Sequence, residues 1–136
     1  MSTPPASAVQ LEHVSKSFDG KLALDDVSLA VPRGSMLALL GPSGCVKTTA
    51  LRLISGFERP DAGVVEVNGR RVASATSMVP PERRRVGLVF QDLALFPHLT
   101  VLQNITLAQT WVRKRTRAES EEKAMSLLER VGIPEQ

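Results

Sequence analysis

Residues 41–49 form a short glycine-containing segment that ends in a lysine and two threonines, and side chains of these types at this spacing can bind phosphate. The segment reads Gly-Pro-Ser-Gly-Cys-Val-Lys-Thr-Thr, so Lys47 and Thr48 stand where a phosphate-binding loop has its lysine and its hydroxyl residue. In such a loop, backbone N–H groups and the N-terminus of the following helix surround the phosphates. The lysine contacts the β- and γ-phosphates, and the hydroxyl helps to hold Mg²⁺. The residues therefore predict a nucleoside triphosphate site; the alternative is an ordinary glycine-containing turn.

Val46 departs from the pattern, because a phosphate-binding loop has glycine immediately before its lysine. If the loop requires a positive φ angle there, a β-branched residue is strained by about 1–3 kcal/mol. Its two γ-methyl groups would also crowd a bound phosphate. We therefore expect Val46 to lower nucleotide affinity by about tenfold or more, since about 1.4 kcal/mol corresponds to a tenfold change.

Length and composition are those of one globular domain. The 136 residues allow one modest core, and the formal net charge of +3 is too small to indicate nucleic acid by itself. The single cysteine, Cys45, cannot form an internal disulfide, which favours a reducing compartment. Residues 1–8 lack the apolar stretch of a signal peptide and are interpreted as a flexible leader. No apolar run approaches the roughly 18 residues that indicate a membrane span.

Two pairs of strands, the second of them a hairpin, are predicted from alternating apolar residues and turn signals. Alternation near residues 9–13 and over 26–31 predicts half-exposed strands, and an Asp19-Gly20 turn signal lies between them. Residues 64–67 and 70–73 flank Asn68-Gly69, which is the strongest short hairpin signal.

Two apolar runs, Met36–Leu40 and Arg85–Phe90, are typical of strands covered on both faces in a parallel sheet. A helix is predicted over residues 48–55, between the phosphate loop and Gly56. Ser74–Arg84 is polar, contains Pro80-Pro81 and is predicted as a surface loop. This order of elements predicts a parallel α/β core with an antiparallel annex.

Two further helices are predicted to start at Thr100 and Thr116, each of which has a Gln or Glu three residues later. In the second of them, four apolar residues recur at helical spacing, and Gly132-Ile133-Pro134 ends it. These four residues are Ala124, Leu127, Leu128 and Val131.

Three segments together resemble the ATPases of ATP-binding cassette (ABC) transporters. Residues 41–49 resemble their Walker A motif, which usually reads GPSGCGKTT, so that Val46 is the one departure. Residues 14–18 resemble the adenine-stacking segment, with Phe18 as the aromatic residue, although a core or hairpin aromatic is the alternative for Phe18. Residues 80–101 resemble the Q-loop region, with Gln91 as its glutamine; taken alone, Gln91 could be the polar end of a strand. The combination is most similar to importer ATPases for ferric iron, polyamines, sulfate and sugars.

The resemblance covers residues 9–133 and implies an α/β fold of the P-loop NTPase class. The expected architecture is the N-terminal portion of an ABC nucleotide-binding domain, with an antiparallel β annex and the start of the helical subdomain, over residues 9–136. ATP and Mg²⁺ are the implied cofactors. The implied nucleotide contacts are Phe18, Gly41, Pro42, Ser43, Gly44, Cys45, Val46, Lys47, Thr48 and Thr49. Catalytic roles are implied for Lys47 and Gln91, and Mg²⁺ contacts for Thr48 and Gln91.

The same resemblance implies partners and a location. A transmembrane permease subunit would dock through the Gln91–Thr100 region, where Phe96-Pro97 is apolar; a locally packed loop is the alternative. A second ATP-binding subunit would complete the site. The protein would then lie at the cytoplasmic face of the cell membrane and couple ATP binding and hydrolysis to solute uptake.

Several parts of an ABC ATPase are missing from the sequence. It contains no LSGGQ signature and no apolar strand ending in Asp-Glu, and His13 and His98 do not match the switch histidine. We therefore expect the chain to be a truncated domain that does not hydrolyse ATP alone, and the alternative function is a non-catalytic permease-binding fragment. Because Met36–Leu40 and Arg85–Phe90 lack neighbouring strands, we expect a poorly soluble or partly molten protein.

Nucleic-acid binding is the remaining alternative and is not favoured. Two short basic clusters, Arg83-Arg84-Arg85 and Arg113-Lys114-Arg115 with Arg117, could contact phosphates. Their only neighbouring aromatic residue is Trp111, whereas single-strand binders interleave aromatic and basic residues. A solvated basic face is the favoured interpretation, so no nucleic-acid partner is expected.

Overall fold

Strands and helices are combined in an α/β fold in the computed structural model, which describes residues 7–41, 45–92 and 95–133. Within these residues the strands are β1 (Ser7–Phe18), β2 (Lys21–Pro32), β3 (Ala62–Val67) and β4 (Arg70–Ser74). The helices are α1 (Cys45–Ser55), α2 (Val101–Trp111) and α3 (Arg117–Arg130), and a 3₁₀ turn covers Pro81–Arg83. The chain divides into two compact units, residues 1–88 and 89–136. Of the predicted leader, residues 1–6 lie outside the described residues, whereas Ser7 and Ala8 belong to β1.

The four strands of the first unit form one antiparallel sheet in the order β2-β1-β3-β4. The predicted hairpin of β3 and β4 is confirmed, and the Asp19-Gly20 turn joins β1 and β2 into a second one. At Asp19-Gly20 the φ angles are 49° and 77°, and at Asn68-Gly69 they are 52° and 74°. Positive φ at both central residues is the requirement of a type I′ turn, whose twist matches that of the flanking strands. The predicted antiparallel annex is therefore present, as a four-stranded sheet.

Bulges interrupt β1 where it meets its two neighbours. The β1–β2 register shifts between Leu11 and Val14, and the β1–β3 register shifts between Glu12 and Ser15. His13 at the bulge has a φ of 49°, and its backbone N–H donates to Ser28 Oγ at 3.0 Å. Gly63 on β3 lies opposite, with a φ of 83°, so close to β1 that a Cβ atom there would overlap with backbone carbonyl oxygens. Only glycine fits this point of close backbone approach.

The core of the first unit lies between the sheet and α1. Its buried residues from the sheet are Leu11, Val14, Leu24, Val65, Val67, Val72 and Ala73, and those from α1 are Ala50 and Leu53. The predicted helix is thus confirmed and begins at Cys45, three residues before the expected start. Gly56, with a φ of 96°, follows its last residue, as expected for a glycine that ends a helix.

The two predicted parallel strands, Met36–Leu40 and Arg85–Phe90, are wrong: both segments are irregular. Met36 and Leu40 are 97% and 93% exposed, and Val89 is 96% exposed. A strand gains stability from backbone hydrogen bonds to neighbouring strands and from cover on its faces. Within the described residues the sheet pairs neither segment, so their apolar character alone does not produce a strand.

Arg84 corrects the predicted surface loop, since its side chain is 3% exposed. Nη1 donates to the carbonyl oxygens of Leu53 at 2.6 Å and Ile54 at 3.1 Å, in the last turn of α1, and Nε donates to Val79 O at 2.7 Å. Burial lowers the pKa of the guanidinium below its usual range. The arginine supplies the donors that the last carbonyls of a helix lack.

In the second unit, α2 and α3 pack on each other, and both predicted capping boxes are confirmed. Thr100 accepts from Gln103 N at 3.2 Å, and Thr116 accepts from Glu119 N at 3.3 Å. In return, the Glu119 carboxylate accepts from Thr116 Oγ1 at 2.8 Å and from Thr116 N at 2.9 Å, and these hydrogen bonds, the side-chain one first, lower the pKa of Glu119.

The apolar positions predicted for α3 divide into two groups. Ala124 and Leu128 are buried, whereas Leu127 and Val131 are 37% and 68% exposed. Helical spacing therefore identified the apolar face of α3, but within this unit only some residues of that face are buried.

Candidate functional site

The predicted phosphate loop leads from an irregular segment into α1. Lys47, in the first turn of the helix, donates from Nζ to the carbonyl oxygen of Gly41 at 2.7 Å. Pro42, Ser43 and Gly44 lie outside the described residues, as does the side chain of Cys45. The structure therefore brings together the glycine and the lysine at the two ends of the pattern.

The threonines that follow the lysine differ in exposure. Thr48 is exposed, whereas Thr49 is 3% exposed and belongs to the buried part of α1. At the start of the helix, Thr48 is therefore the residue that can present a hydroxyl to a ligand.

Val46 lies within the first turn of α1, and its side chain is 56% exposed. Helical backbone has a negative φ angle, so the left-handed strain considered for this residue does not arise in this conformation. What remains is the bulk of two γ-methyl groups beside the helix N-terminus.

The charges around this end of α1 suit an anion. The first turn contains no acidic residue, and Lys47 adds a full positive charge to the partial positive charge of the helix N-terminus. Backbone N–H groups of a first turn have no partner within the helix and can donate to phosphate oxygens. A hydroxyl oxygen, as in Thr48, is a ligand type that Mg²⁺ accepts. The residue set therefore fits a magnesium-bound polyphosphate.

Phe18 is the last residue of β1, directly before the Asp19-Gly20 turn, and it is half-buried rather than part of the core cluster. The Lys16 ammonium lies 5.2 Å from the centroid of its ring. That distance is within the range of a cation–π interaction. The aromatic ring therefore has a charged neighbour that sequence analysis did not identify.

Asp61, directly before β3, forms hydrogen bonds with residues near the end of β1. Its Oδ2 accepts from Ser17 N at 2.8 Å and Ser17 Oγ at 3.0 Å, and its Oδ1 accepts from Lys16 Nζ at 3.2 Å. These contacts, the Ser17 backbone hydrogen bond first, lower the pKa of the Asp61 carboxyl. Lys16 and Asp61 are 45 positions apart, so no local pattern signals the pair.

Gln91 and the residues after it belong to the second unit, where Gln91 is exposed. Asn104 on α2 organises the following turn: its Oδ1 accepts from Phe96 N at 2.8 Å, and its Nδ2 donates to the carbonyls of Phe96 and Leu99. Leu95 and Phe96 are 59% and 49% exposed. The predicted apolar loop surface is thus present, although residues 93 and 94 lie outside the described part.

Comparison with known proteins identifies the sequence family. The family model described as ABC transporter matches residues 24–136. The spermidine/putrescine import ATP-binding protein PotA of Nitratidesulfovibrio vulgaris is 53% identical over 97 residues, which cover 71% of this chain and 25% of that protein. The glutamate/glutamine/aspartate/asparagine transport ATP-binding protein BztD of Rhodobacter capsulatus is 43% identical over 129 residues, which cover 95% of this chain and 49% of that protein.

A solved ATP-binding cassette has a similar fold, with a TM-score of 0.73 and 26% sequence identity over 89% of this chain and 56% of that one. It is described as a dimer in a post-hydrolysis state bound to ADP and phosphate. These comparisons confirm the family resemblance and the fold class. The chain spans about a quarter to a half of the length of these curated relatives. Among the described residues, no helix has the length and apolar character to cross a bilayer.

Proposed function

This chain belongs to the ABC transporter family, and from that premise we propose that it binds ATP with Mg²⁺ as part of the ATP-binding subunit of an importer. One observation carries the proposal. The Lys47 ammonium lies at the N-terminal end of α1, with Nζ 2.7 Å from the carbonyl oxygen of Gly41. The first turn of α1 contains no acidic residue that would repel an anion. Relatives at 43% to 53% identity are named as transport or import ATP-binding proteins, which supports the importer class.

Each site residue has a role that follows from its chemistry. Lys47 contacts the β- and γ-phosphates, backbone N–H groups of the loop and the first turn of α1 donate to phosphate oxygens, and the Thr48 hydroxyl holds Mg²⁺. The metal, when bound, neutralises charge on the phosphate oxygens. Phe18 stacks on the adenine base. Gln91 can donate and accept hydrogen bonds at once, which suits a residue that contacts Mg²⁺ and orients the attacking water.

The proposed partners follow from the importer class. A transmembrane permease subunit docks on the Gln91–Thr100 region, where Leu95 and Phe96 are exposed, and a second ATP-binding subunit pairs with this one, as in the dimeric cassette of similar fold. With these partners, we expect the protein to lie at the cytoplasmic face of the membrane.

Lys47→Ala is expected to lower the affinity for Mg-ATP by about tenfold or more, because the variant loses the only side-chain charge that the pattern directs at the β- and γ-phosphates. Isothermal titration of the full chain with Mg-ATP measures the change. Lys123→Ala, at an exposed lysine of α3, is the matched control and keeps the wild-type affinity. Equal affinities of the Lys47→Ala variant and the wild type would contradict the proposed function.

Val46→Gly is expected to raise the affinity for ATP by about tenfold, since it removes the γ-methyl groups beside the bound phosphate. Val46→Ala separates two causes. If crowding by the methyl groups weakens binding, the alanine and glycine variants bind equally well. If binding requires a left-handed backbone at this position, only the glycine variant gains affinity. Identical titrations of all three proteins would show that Val46 has no effect on the site.

A further inference from the structure

We propose that Lys16 and Asp61 hold the ring of Phe18 as a preformed platform for the adenine base, an inference that rests on the proposed function of the chain as an ATP-binding protein. Phe18 ends β1, and the Asp19-Gly20 turn follows it directly. Phe18 is half-buried and lies outside the core cluster, so core packing alone does not fix its side chain. The two charged residues supply the missing constraint.

Lys16 is unusually well covered for a lysine, with a side chain only 14% exposed. Its ammonium lies 5.2 Å from the centroid of the Phe18 ring, 3.2 Å from Asp61 Oδ1 and 3.9 Å from Glu58 Oε2. Lysines are rarely covered to this degree unless they are paired. The two carboxylates therefore keep the charge beside the aromatic ring instead of in solvent.

Asp61 fixes the backbone that carries both residues. Its carboxylate accepts from the N–H and the hydroxyl of Ser17, between Lys16 and Phe18, and its own N–H donates to Ser15 O at 2.9 Å. The hydrogen bonds from Ser17, the backbone one first, lower the pKa of Asp61 and so stabilise the charged carboxylate that binds Lys16. The last residues of β1 are thereby tied to the segment before β3 through one side chain.

A cation over an aromatic ring is attracted to the electron-rich face of that ring. Because the ammonium occupies one face of Phe18, a base that stacks on this ring must use the opposite face. The ring is ordered before the ligand arrives, so base binding does not carry the entropic cost of fixing it. Lys16 and Asp61 are therefore positioning residues, which act on the base through Phe18.

The test compares ATP with inorganic tripolyphosphate, which has the phosphates without the base, by titration of the full chain. Lys16→Met keeps the aliphatic stem and removes the charge. We expect it to lower the affinity for ATP by about three- to tenfold, while the affinity for tripolyphosphate changes by less than about twofold. Asp61→Asn is expected to shift the ATP-to-tripolyphosphate ratio in the same direction. Lys16→Arg, which retains the cation, is expected to preserve the ratio.

Lys21→Met is the matched control, because Lys21 is an exposed lysine directly opposite Phe18 on β2. It leaves both affinities unchanged, and equal far-UV circular dichroism of all variants shows that the sheet is intact. Wild-type protein that binds neither ligand overturns the proposed function and this inference with it. Wild-type binding of ATP with an unchanged ligand ratio in Lys16→Met, or with an equal fall in both affinities, overturns this inference alone.

Discussion

Replacing Gly63 with alanine lowers the free energy of unfolding by about 3 kcal/mol or more, enough to disrupt the four-stranded sheet. Two costs combine at this residue. Its φ angle of 83° lies in the left-handed region, which strains any side chain. A Cβ atom would also overlap with the carbonyl oxygens of His13 and Glu12, which are backbone atoms of the neighbouring strand. The strand β1 can move away only by breaking its pairing with β3.

Gly69→Ala is a matched control for this prediction. Gly69 has a φ of 74°, and a Cβ atom there meets nothing within 4 Å, so the variant has the backbone strain without the overlap. The difference between the two variants in chemical denaturation therefore measures the overlap at Gly63. Far-UV circular dichroism is the appropriate probe, because the single tryptophan, Trp111, lies in the second unit. Equal losses of stability in both variants would show that β1 adapts to the added atom.

Arg84→Met is expected to lower the free energy of unfolding by about 2–4 kcal/mol. The variant leaves the carbonyls of Leu53, Ile54 and Val79 without the donors that the guanidinium provides, and hydrogen bonds to a charged group contribute about 1.5–3 kcal/mol each. Removing a buried charge recovers part of that loss, since its desolvation is unfavourable. Within the described residues Arg84 Nη2 is buried without a partner, so part of the desolvation cost of the guanidinium is not compensated. The variant regains this free energy, but the gain is smaller than the loss of three hydrogen bonds.

Arg83→Met is the control for the arginine, since Arg83 is the exposed neighbour, and its stability change is expected to stay below about 0.5 kcal/mol. Gly56→Ala provides a second measure, because a Cβ atom there would lie 2.6 Å from Arg84 Nε and displace the guanidinium. If the arginine caps α1, the double variant Gly56→Ala/Arg84→Met loses less stability than the sum of the single variants. Strict additivity, or a stable Arg84→Met protein, would contradict the role assigned to Arg84.

Features that depend on a few neighbouring residues were predictable from the sequence. The Asn68-Gly69 and Asp19-Gly20 turns require positive φ angles that these residue types adopt at low cost, and both turns are present. The capping boxes of Thr100 and Thr116 are satisfied by side chains only three residues away. The phosphate-loop pattern likewise predicted a helix at this point of the chain, but the helix begins three residues earlier than expected, so that Lys47 lies in its first turn, with Nζ 2.7 Å from Gly41 O.

Contacts between distant parts of the chain were not predictable in this way. The polar neighbours of Arg84 predict a surface loop, yet its side chain lies buried against α1, about thirty positions earlier in the chain. The Lys16–Asp61 pair has no sequence signature, because both residue types are common on exposed surfaces. Their roles follow from the packing of β1, β3 and α1 around them.

The sequence by itself determined the family of this protein, its two Asp/Asn-Gly turns and the starts of α2 and α3, because each depends on residue types at short and regular spacing. Tertiary structure decided whether Met36–Leu40 and Arg85–Phe90 are strands, and within the described residues they are not. An apolar run has the side chains for a buried strand, but a strand also requires backbone partners and covered faces, which only neighbouring elements supply. The tertiary structure also decided which charges surround Phe18, since strand pairing brings residues 16 and 61 together.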